Sequence, residues 1–471
     1  MSFSRDHYDA VVVGAGPNGL AAAITLARRV RHVLLVEAAD TIGGGTRSAA
    51  LTLPGFVHDV CSAVQPLTLS SPFFRQLGLD RFGLEWVHPE IPLAHPFEDG
   101  SALCLHRSIG ATADGLGPDG DAWRSLVGPF ARNYEKLLAD VLKPLPIPSH
   151  PFLMARFGLK ALRTARGLAE ASFREARTRA LFAGLAAHAM IPLEKPATAA
   201  FGILLAVLAH GVGWPVVRGG SQRLADALAA CFAEAGGEIR TGVEVRSMGD
   251  LPRAGRYVFD VTPRQLLAIE GLGLSEGYRA KLARFRYGPG VCKADWALAG
   301  PIPWKADACR RAGTVHLGGS LEEIGAAIRD AHEGRKCLAP YVVLAQQSVC
   351  DPTRAPEGRH TAWAYCHVPH GSPADMTELI EERIERLAPG FRELILARSS
   401  MPAPAMERHN ANYVGGDING GVQDLRQLYS RPVLSLFPYR TSRKDVCICS
   451  SSTPPGGGVH GLCGYYAARA L

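Results

Sequence analysis

From Ala10 the chain reads AVVV, breaks into GAGPNG and resumes as LAAAITLARR. A short all-apolar run bounded by glycine predicts a strand buried on both faces, and the longer run of small and branched apolar residues behind it predicts a helix. A second apolar run, HVLLVE, ends on Glu37. Strand, turn, helix and strand in this order predict a βαβ unit with its two strands parallel. The segment ARRVRHVLL holds no glycine to stop the helix, so Arg31 or His32 is expected to turn the chain.

Further along, the pattern predicts four more pieces. The longest apolar stretch, Ala197 to Trp214, is shorter than the roughly 20 residues a membrane span needs and contains His210 and Gly211. It reads as a buried or surface-docked helix. Ala155 to Phe182 reads as a helix or helix pair with a basic face opposite Leu, Phe and Ala, suited either to an anionic membrane surface or to a solvated domain surface. EIRTGVEV alternates Ile239, Thr241, Val243 and Val245 on one face, as a strand does. At the C-terminus VCIC reads as a strand, SSSTPPGGG as a loop and VHGLCGYYAARAL as a helix.

Composition narrows the class. A chain of 471 residues is long for one core, so two interleaved domains are expected. With 47% hydrophobic and 20% charged residues it is globular rather than disordered or fibrous. The net charge of +7 is modest and its Lys and Arg residues are scattered, which argues against a nucleic-acid partner. Eleven dispersed cysteines without CxxC pairs read as reduced thiols, and no metal site is expected. The opening MSFSRDHYDA has no apolar core of a secretory leader, so a cytoplasmic location is expected.

The chemistry starts at Gly14-x-Gly16-x-x-Gly19, with Pro17 and Asn18 between the last two glycines. Gly14 permits the tight turn, Gly16 lets backbone approach a pyrophosphate, Gly19 lets the helix pack on its strand, and the helix N-terminus offers amides to the anion. Glu37 stands where an acid accepts ribose hydroxyls, which disfavours a 2′-phosphate. An ordinary glycine-rich turn is the competing reading.

The stretches AADTIGGGTRSAALTLPGFVHDVCSA, GGSQRLADALAACFAEAGGEIRTGVEV and CICSSSTPPGGGVHGLCGYYAARA resemble the phytoene-desaturase-like group of FAD-dependent oxidoreductases. Within it they resemble most the branch named for a pyridine nucleotide-disulphide oxidoreductase domain. The match runs over both ends and the middle, and is loose from Asp114 to Pro215. It implies an α/β fold: a Rossmann-like (βαβ) FAD-binding domain of the amine oxidase/phytoene desaturase type with an interleaved α+β substrate domain. The FAD-binding domain is expected at 1–75, 215–290 and 425–471, and the substrate domain at 76–214 and 291–424, with GLSEGYRAKLARFRYGPG and RQLYSRPV as crossings.

The resemblance also implies FAD as cofactor and assigns its contacts. Gly44, Gly45 and Arg47 belong to a second glycine cluster on the pyrophosphate, and Val245 holds the adenine through its backbone. Pro455, Gly457, Gly458 and Val459 present the last helix to flavin N1 and the C2 carbonyl, where its dipole is worth about 0.3–1 kcal/mol. Despite the branch name there is no CxxxxC after the first turn and no second GxGxxG, so electrons are expected to leave to oxygen, a quinone or an isomerised product.

Three functions stay open: hydride transfer between flavin N5 and a hydrophobic, isoprenoid-like or carotenoid-like substrate, by desaturation or isomerisation; an amine-oxidase-like oxidase; and a flavin-bound interaction protein. Peripheral membrane contact and oligomerisation are left open as well. Lys293, in RYGPGVCKADWALAGPIPW, resembles the amine-oxidase lysine that holds a water at N5; the alternative is a solvent-facing lysine on an edge strand. His460 is a candidate acid or base near the ring, or a residue that caps and packs. Tyr465 and Tyr466 line the pocket or fill the core. Asn412, Asp417 and Asn419, in and before GGDINGG, contact substrate or flavin, or simply form turns.

Overall fold

In the computed structural model, which describes residues 3–144 and 147–471, the first apolar runs form the elements their pattern predicts. Strand β1 (Ala10–Val13) is buried throughout, helix α1 (Pro17–Ala27) starts on a proline that presets its first turn, and β2 (Val33–Val36) pairs with β1 in parallel. The turn after α1 is made without glycine. The Asp9 carboxylate accepts the amides of Arg31 and His32 at 3.1 and 2.9 Å and so brings the chain round into β2.

The chain then leaves this layer. Strands β3 (Ile91–Pro96) and β4 (Ala102–Leu105) form an antiparallel pair, and a group of helices follows that includes α2 (Ala176–Ala186) and α3 (Thr198–Gly211). The long apolar run is α3, and it packs with α2 in one hydrophobic cluster. The expected helix or pair over Ala155–Phe182 is instead drawn from three helices: Pro151–Ala161, Ala165–Ser172 and α2. The breaks have local causes. The Thr164 hydroxyl caps the second helix by accepting the Gly167 amide, and the Asp119 carboxylate accepts the amides of Arg174 and Glu175 just before α2.

Helix α4 (Gln222–Glu234) returns the chain to the first layer, followed by β5 (Glu238–Arg240) and β6 (Tyr257–Phe259). The expected strand through Val245 stops at Arg240. Gly242 takes a left-handed φ of 69°, and the Gly242 and Val243 amides donate to the carbonyls of Ala39 and Glu37, so the chain crosses the end of β2 rather than continuing beside it.

A second departure builds β7 (Gly290–Leu298), β8 (Ala312–Leu317), β9 (Val342–Ala345), β10 (His360–Val368) and β11 (Ile395–Met401). Finally β12 (Val446–Ile448) and α5 (Leu462–Arg469) close the first layer. The expected last helix begins three residues late. Gly461 adopts a φ of 69°, and the His460 Nδ1 accepts the Leu462 amide, so the turn over Val459–Gly461 is loop. Gly464 lets α5 lie across α1, because a methyl there would stand 1.7 Å from the Asn18 carbonyl oxygen.

Two sheets result. The first has order β5-β2-β1-β6-β12 and is parallel throughout; the second has order β11-β7-β10-β9-β8-β3-β4 and is antiparallel except at β8–β3. A buried ionic cluster fastens one to the other. Arg354, after β9, donates to Asp59 at 2.9 Å, to Asp351 at 2.7 Å and to the Val217 carbonyl at 2.9 Å. Asp59 in turn accepts the Ser48 hydroxyl and the Ser221 amide at the head of α4. Burial works against the Asp351 carboxylate, but the Thr353 hydroxyl, the Gly219 amide and the Arg354 guanidinium hold it below its ordinary range. Arg354→Met would leave two carboxylates buried without their cation and is expected to lower the unfolding free energy by about 3–5 kcal/mol, read from urea denaturation. Since Asp351 is depressed in the folded state, its share of stability is full above the ordinary carboxylate range and is lost as pH falls through the folded value.

Candidate functional site

Three neighbouring parallel strands end level. Phe259 of β6 pairs with Val13 of β1, and Val13 with Val36 of β2, so the next residues, Asp260, Gly14 and Glu37, meet at the carboxyl edge of the sheet. That edge is where parallel α/β sheets bind ligands. Gly14 has a φ of +98°, and a methyl on Gly19 would lie 1.8 Å from the Gly14 carbonyl oxygen, so α1 can sit this close to β1 only with both glycines. The first turn of α1 carries no acidic residue and no side-chain cap.

Glu37 is anchored on both oxygens. Oε2 accepts the Ala15 amide at 2.7 Å, while Oε1 accepts the Ala39 amide at 3.0 Å and Arg47 at 3.1 Å. Arg47 also donates to the carbonyls of Thr41 and His409, so its guanidinium bridges three segments. Gly44 places the second glycine cluster against the first: its φ is +51° and a methyl there would stand 3.1 Å from the Gly16 Cα. A methyl on Gly45 would lie 2.1 Å from the Tyr413 hydroxyl.

One cavity of about 700 Å³ runs along this edge and onward to the second sheet, within the range of small-molecule sites. From the first turn it is lined by Gly14, Gly16, Pro17 and Asn18, and beside them by Glu37, Gly44, Gly45 and Arg47. Val245 lines one end, brought there by the crossing over β2, and Gly458 and Val459 line the other side. Gly19, Pro455 and Gly457 do not line it. Gly19 packs beneath the turn, and Gly457 packs against the Asn419 carbonyl, 2.9 Å from where its Cβ would be.

Beyond the glycine turns the cavity opens on a face of the second sheet. Register puts Asp295, Trp363, Ala345 and Thr314 in one row, and Lys293, Tyr365, Val343 and His316 in the next. Of these, Trp363, Tyr365, Ala345, Val343 and Thr314 line the cavity, faced by Leu205, Trp214, Val64 and His188. Lys293 is not a solvent-facing edge lysine: β7 lies between β11 and β10, and the residue is 2% exposed. Its ammonium is hydrogen-bonded to Asp295 and lies 5.5 Å from the centre of the Trp363 ring. Asp295 is pushed up by burial to about 6 against the pull of Lys293, and burial, then the Lys293 charge, lowers His58 to about 4. Lys293 does not line the cavity, but its charge acts on Cys61 and His409, which do.

His460 departs from the expectation of an acid or base beside the reacting ring. It is wholly buried outside the cavity, with Nε2 3.2 Å from the Gly456 carbonyl and Nδ1 bound to the Leu462 amide; burial lowers it to about 4. It caps and packs. The helix dipole expected at Gly457–Val459 is likewise displaced, since α5 starts at Leu462. Tyr465 and Tyr466 pack on the first-layer cluster rather than line the cavity. Asn412 and Asn419 line it, Asn412 by bonding the Asp260 carbonyl and the Thr262 amide, whereas Asp417 accepts the amides of Gly288, Asn419 and Gly421 and shapes the loop.

Asp260 is the chief residue the sequence reading missed. Its signal was present: YVFD is an apolar run ended by an acid, as VLLVE is. Its Oδ2 accepts the Gly19 amide at 2.8 Å, and burial, offset by that bond and reinforced by Glu37, raises it to about 7. Between its ordinary value and about 7 the folded protein keeps a proton that the unfolded chain releases, so this group's contribution to stability falls as pH rises through that window. Asp260→Asn is expected to abolish the fall. Unfolding free energies of the variant and the natural protein should diverge in the variant's favour by about 1.4 kcal/mol per pH unit across the window; parallel curves would refute the assignment.

Comparison with known proteins agrees with this architecture. A model described as an NAD(P)-binding Rossmann-like domain matches residues 12–75. The pyridine nucleotide-disulfide oxidoreductase domain-containing protein 2 of Mus musculus is 28% identical over 99% of this chain and 94% of its own length. A hydroxyneurosporene desaturase of Cereibacter sphaeroides is 32% identical over 55% of this chain and 57% of its own. A putrescine oxidase crystallised with putrescine superposes with a TM-score of 0.64 at 16% identity, over 98% of both chains, a likeness of fold. The chain is therefore an oxidoreductase similar in sequence to members of the phytoene-desaturase-like group and built on the amine-oxidase type of fold.

Proposed function

We propose that this protein binds FAD along the carboxyl edge of its parallel sheet and transfers hydride between flavin N5 and a hydrophobic, isoprenoid-like substrate held against the second sheet. The observation that carries the reading is the single cavity, which joins the phosphate-type turn at Gly14 and Gly16 to an apolar face at Val343, Ala345 and Trp363. A nicotinamide dinucleotide alone would not account for the second glycine cluster and the chamber beyond it. The division into an FAD domain (1–75, 215–290, 425–471) and a substrate domain (76–214, 291–424) is supported by the two main sheets: the five strands of the parallel sheet fall in the first set and the seven of the other sheet in the second, with Gly290 at the border.

The residues present fit the cofactor. Gly16 and Gly44 give two backbones access to a pyrophosphate, Arg47 supplies the positive charge, Glu37 faces the ribose end and Val245 the adenine end. When bound, FAD supplies the hydride-accepting ring. The chain's own contribution is to bury that ring, exclude water and hold a C–H bond against it. Lys293, hydrogen-bonded to Asp295, stands beside the wall formed by Trp363 and Tyr365, where it would add positive potential on the side of the chamber that holds the ring.

An amine substrate is the second reading, favoured by the stacked Trp363–Tyr365 pair, 5.7 Å apart and 29° from parallel. Against it, Lys293 already sets a cation near the Trp363 ring, which repels an ammonium from that position.

The carboxyl edge predicts that protein purified without denaturant is yellow and that FAD raises its melting temperature, while Gly19→Val, which drives a side chain into the Gly14 carbonyl, loses FAD binding by at least about a hundredfold. Anaerobic reduction of the flavin by polyprenyl compounds supports the leading reading; peroxide formed with amines and not with polyprenyl compounds supports the second. Lys293→Met is expected to keep FAD but slow flavin reoxidation by about tenfold or more. A colourless protein that FAD does not stabilise would sink both readings.

A lipid-soluble substrate also needs a route. On helix Pro151–Ala161, Phe152, Arg156 and Leu159 share an exposed face, with Phe152 91% and Leu159 77% exposed, and Lys160 and Arg163 stand beside it. Such a face suits an anionic bilayer. Among the described residues no helix is long and apolar enough to cross one. The protein is expected to float with phosphatidylserine vesicles, and Phe152→Asp with Leu159→Asp to abolish flotation.

A further inference from the structure

Among the described residues, the one parallel pair of strands in the second sheet ends in a further glycine turn. β3 stops at Pro96 and β8 at Leu317, side by side and pointing the same way, and Gly318-Gly319-Ser320 leads from β8 into the helix Leu321–His332. Such a carboxyl edge is where parallel strands meet ligands, and the start of a helix favours negative charge. A pocket of about 320 Å³ opens there, at the lower limit of small-molecule sites. It shares no lining residue with the cavity of about 700 Å³.

Arg383 reaches this turn from the helix Thr377–Leu387. It lines the pocket, is 8% exposed, and its Nη2 comes within 3.1 Å of where a Cβ on Gly319 would stand. Its Nε has no hydrogen-bond partner, and among the described residues its guanidinium enters no hydrogen bond or ion pair. A buried cation without a counter-ion is costly, and the edge of this one that stays exposed opens on the pocket. The charges around it are already engaged. Glu323 Oε2 accepts the Ser320 amide at 2.7 Å and closes a capping box, Arg177 pairs with Asp99 at 2.5 Å, and Arg386 lies 3.5 Å from Glu98. The Gly319 carbonyl, which would repel an anion, is turned inward, where it accepts the Nε2–H of the fully buried His95 at 2.9 Å.

We propose that this pocket binds a small carboxylate with an apolar body, the carboxylate pairing with the Arg383 guanidinium and the body lying against Phe97, Ala180 and Leu387. A single carboxylate matches the planar fork of one guanidinium on both oxygens and balances its charge. A phosphate would bring a second negative charge to a pocket that also holds Glu98 and Glu323, and an ammonium would meet Arg383 itself. The side chains of Pro96, Phe97, Ala180 and Leu387 offer no hydrogen bond, so the rest of the ligand is apolar. Nothing in this site depends on FAD or on the larger cavity.

Isothermal titration calorimetry of the purified full chain with octanoate, octan-1-ol, octylamine and inorganic phosphate tests the site. Octanoate should bind at least about tenfold more tightly than each of the other three. Arg383→Met should weaken octanoate by at least about tenfold and leave octan-1-ol unchanged. Ala176→Trp puts a large ring at an exposed position on the rim of the pocket, so it should weaken octanoate to a similar degree without moving the urea unfolding curve, and it decides the matter if Arg383→Met does not fold. Octanoate that does not bind, that binds no better than the alcohol or the amine, or that binds more weakly than phosphate would overturn the proposal. So would either variant that folds and keeps its octanoate affinity, since the acid would then sit elsewhere.

Discussion

The site depends on one close approach. Helix α1 starts directly against the end of β1, and only hydrogen fits between Gly19 and the Gly14 carbonyl, where a methyl would come within 1.8 Å. Because α1 lies that low, its first turn faces the level ends of β2, β1 and β6, and the Gly19 amide reaches Asp260. Gly464 then lets α5 cross α1, and the loop before α5 completes the far side of the cavity. Small residues at these contacts bring backbone, rather than side chains, to an edge whose free amides suit an anion.

Around this edge the protein uses buried charge sparingly and in pairs. Glu37 with Arg47 ties the end of β2 to the second glycine cluster, Lys293 with Asp295 stiffens the wall of the chamber, and Asp59 with Arg354 and Asp351 joins the two sheets. Buried ion pairs add little net stability compared with apolar packing, but breaking one is expensive, so they specify geometry more than they strengthen it. Of these, only the Arg354–Asp59 pair joins segments far apart in sequence, where packing alone would permit sliding.

The chamber follows a different logic. Its wall is one face of an antiparallel sheet whose rows place Trp363, Ala345 and Thr314 side by side, and its lid is built from α3 and the turn that carries His188. Burial keeps the histidines neutral, so polarity enters this space as hydrogen-bonding capacity without charge. The charged atoms sit at the end near the glycine turns and beside the wall. Separating the two kinds of polarity gives one cavity a charged end and an uncharged, largely apolar end.

The amino-acid sequence by itself determined the βαβ unit, its three glycines, Glu37, the helix at Ala197–Trp214 and the strand VCIC, because each rests on a local pattern: apolar period, glycine spacing, a terminal acid. It also carried the resemblance over most of the chain, and eleven of the fourteen expected cofactor contacts line the cavity. It misjudged what depends on distant partners. EIRTGVEV was shortened by hydrogen bonds to Ala39 and Glu37, the last helix was delayed by Gly461 and the His460 ring, and His460 was turned away from the site. Only the tertiary structure decided that Asp260 joins Gly14 and Glu37, that Lys293 is buried, and that Trp363, Thr314 and His188 share a chamber. Strand order and register set those meetings, and neither is written in any local stretch of the chain.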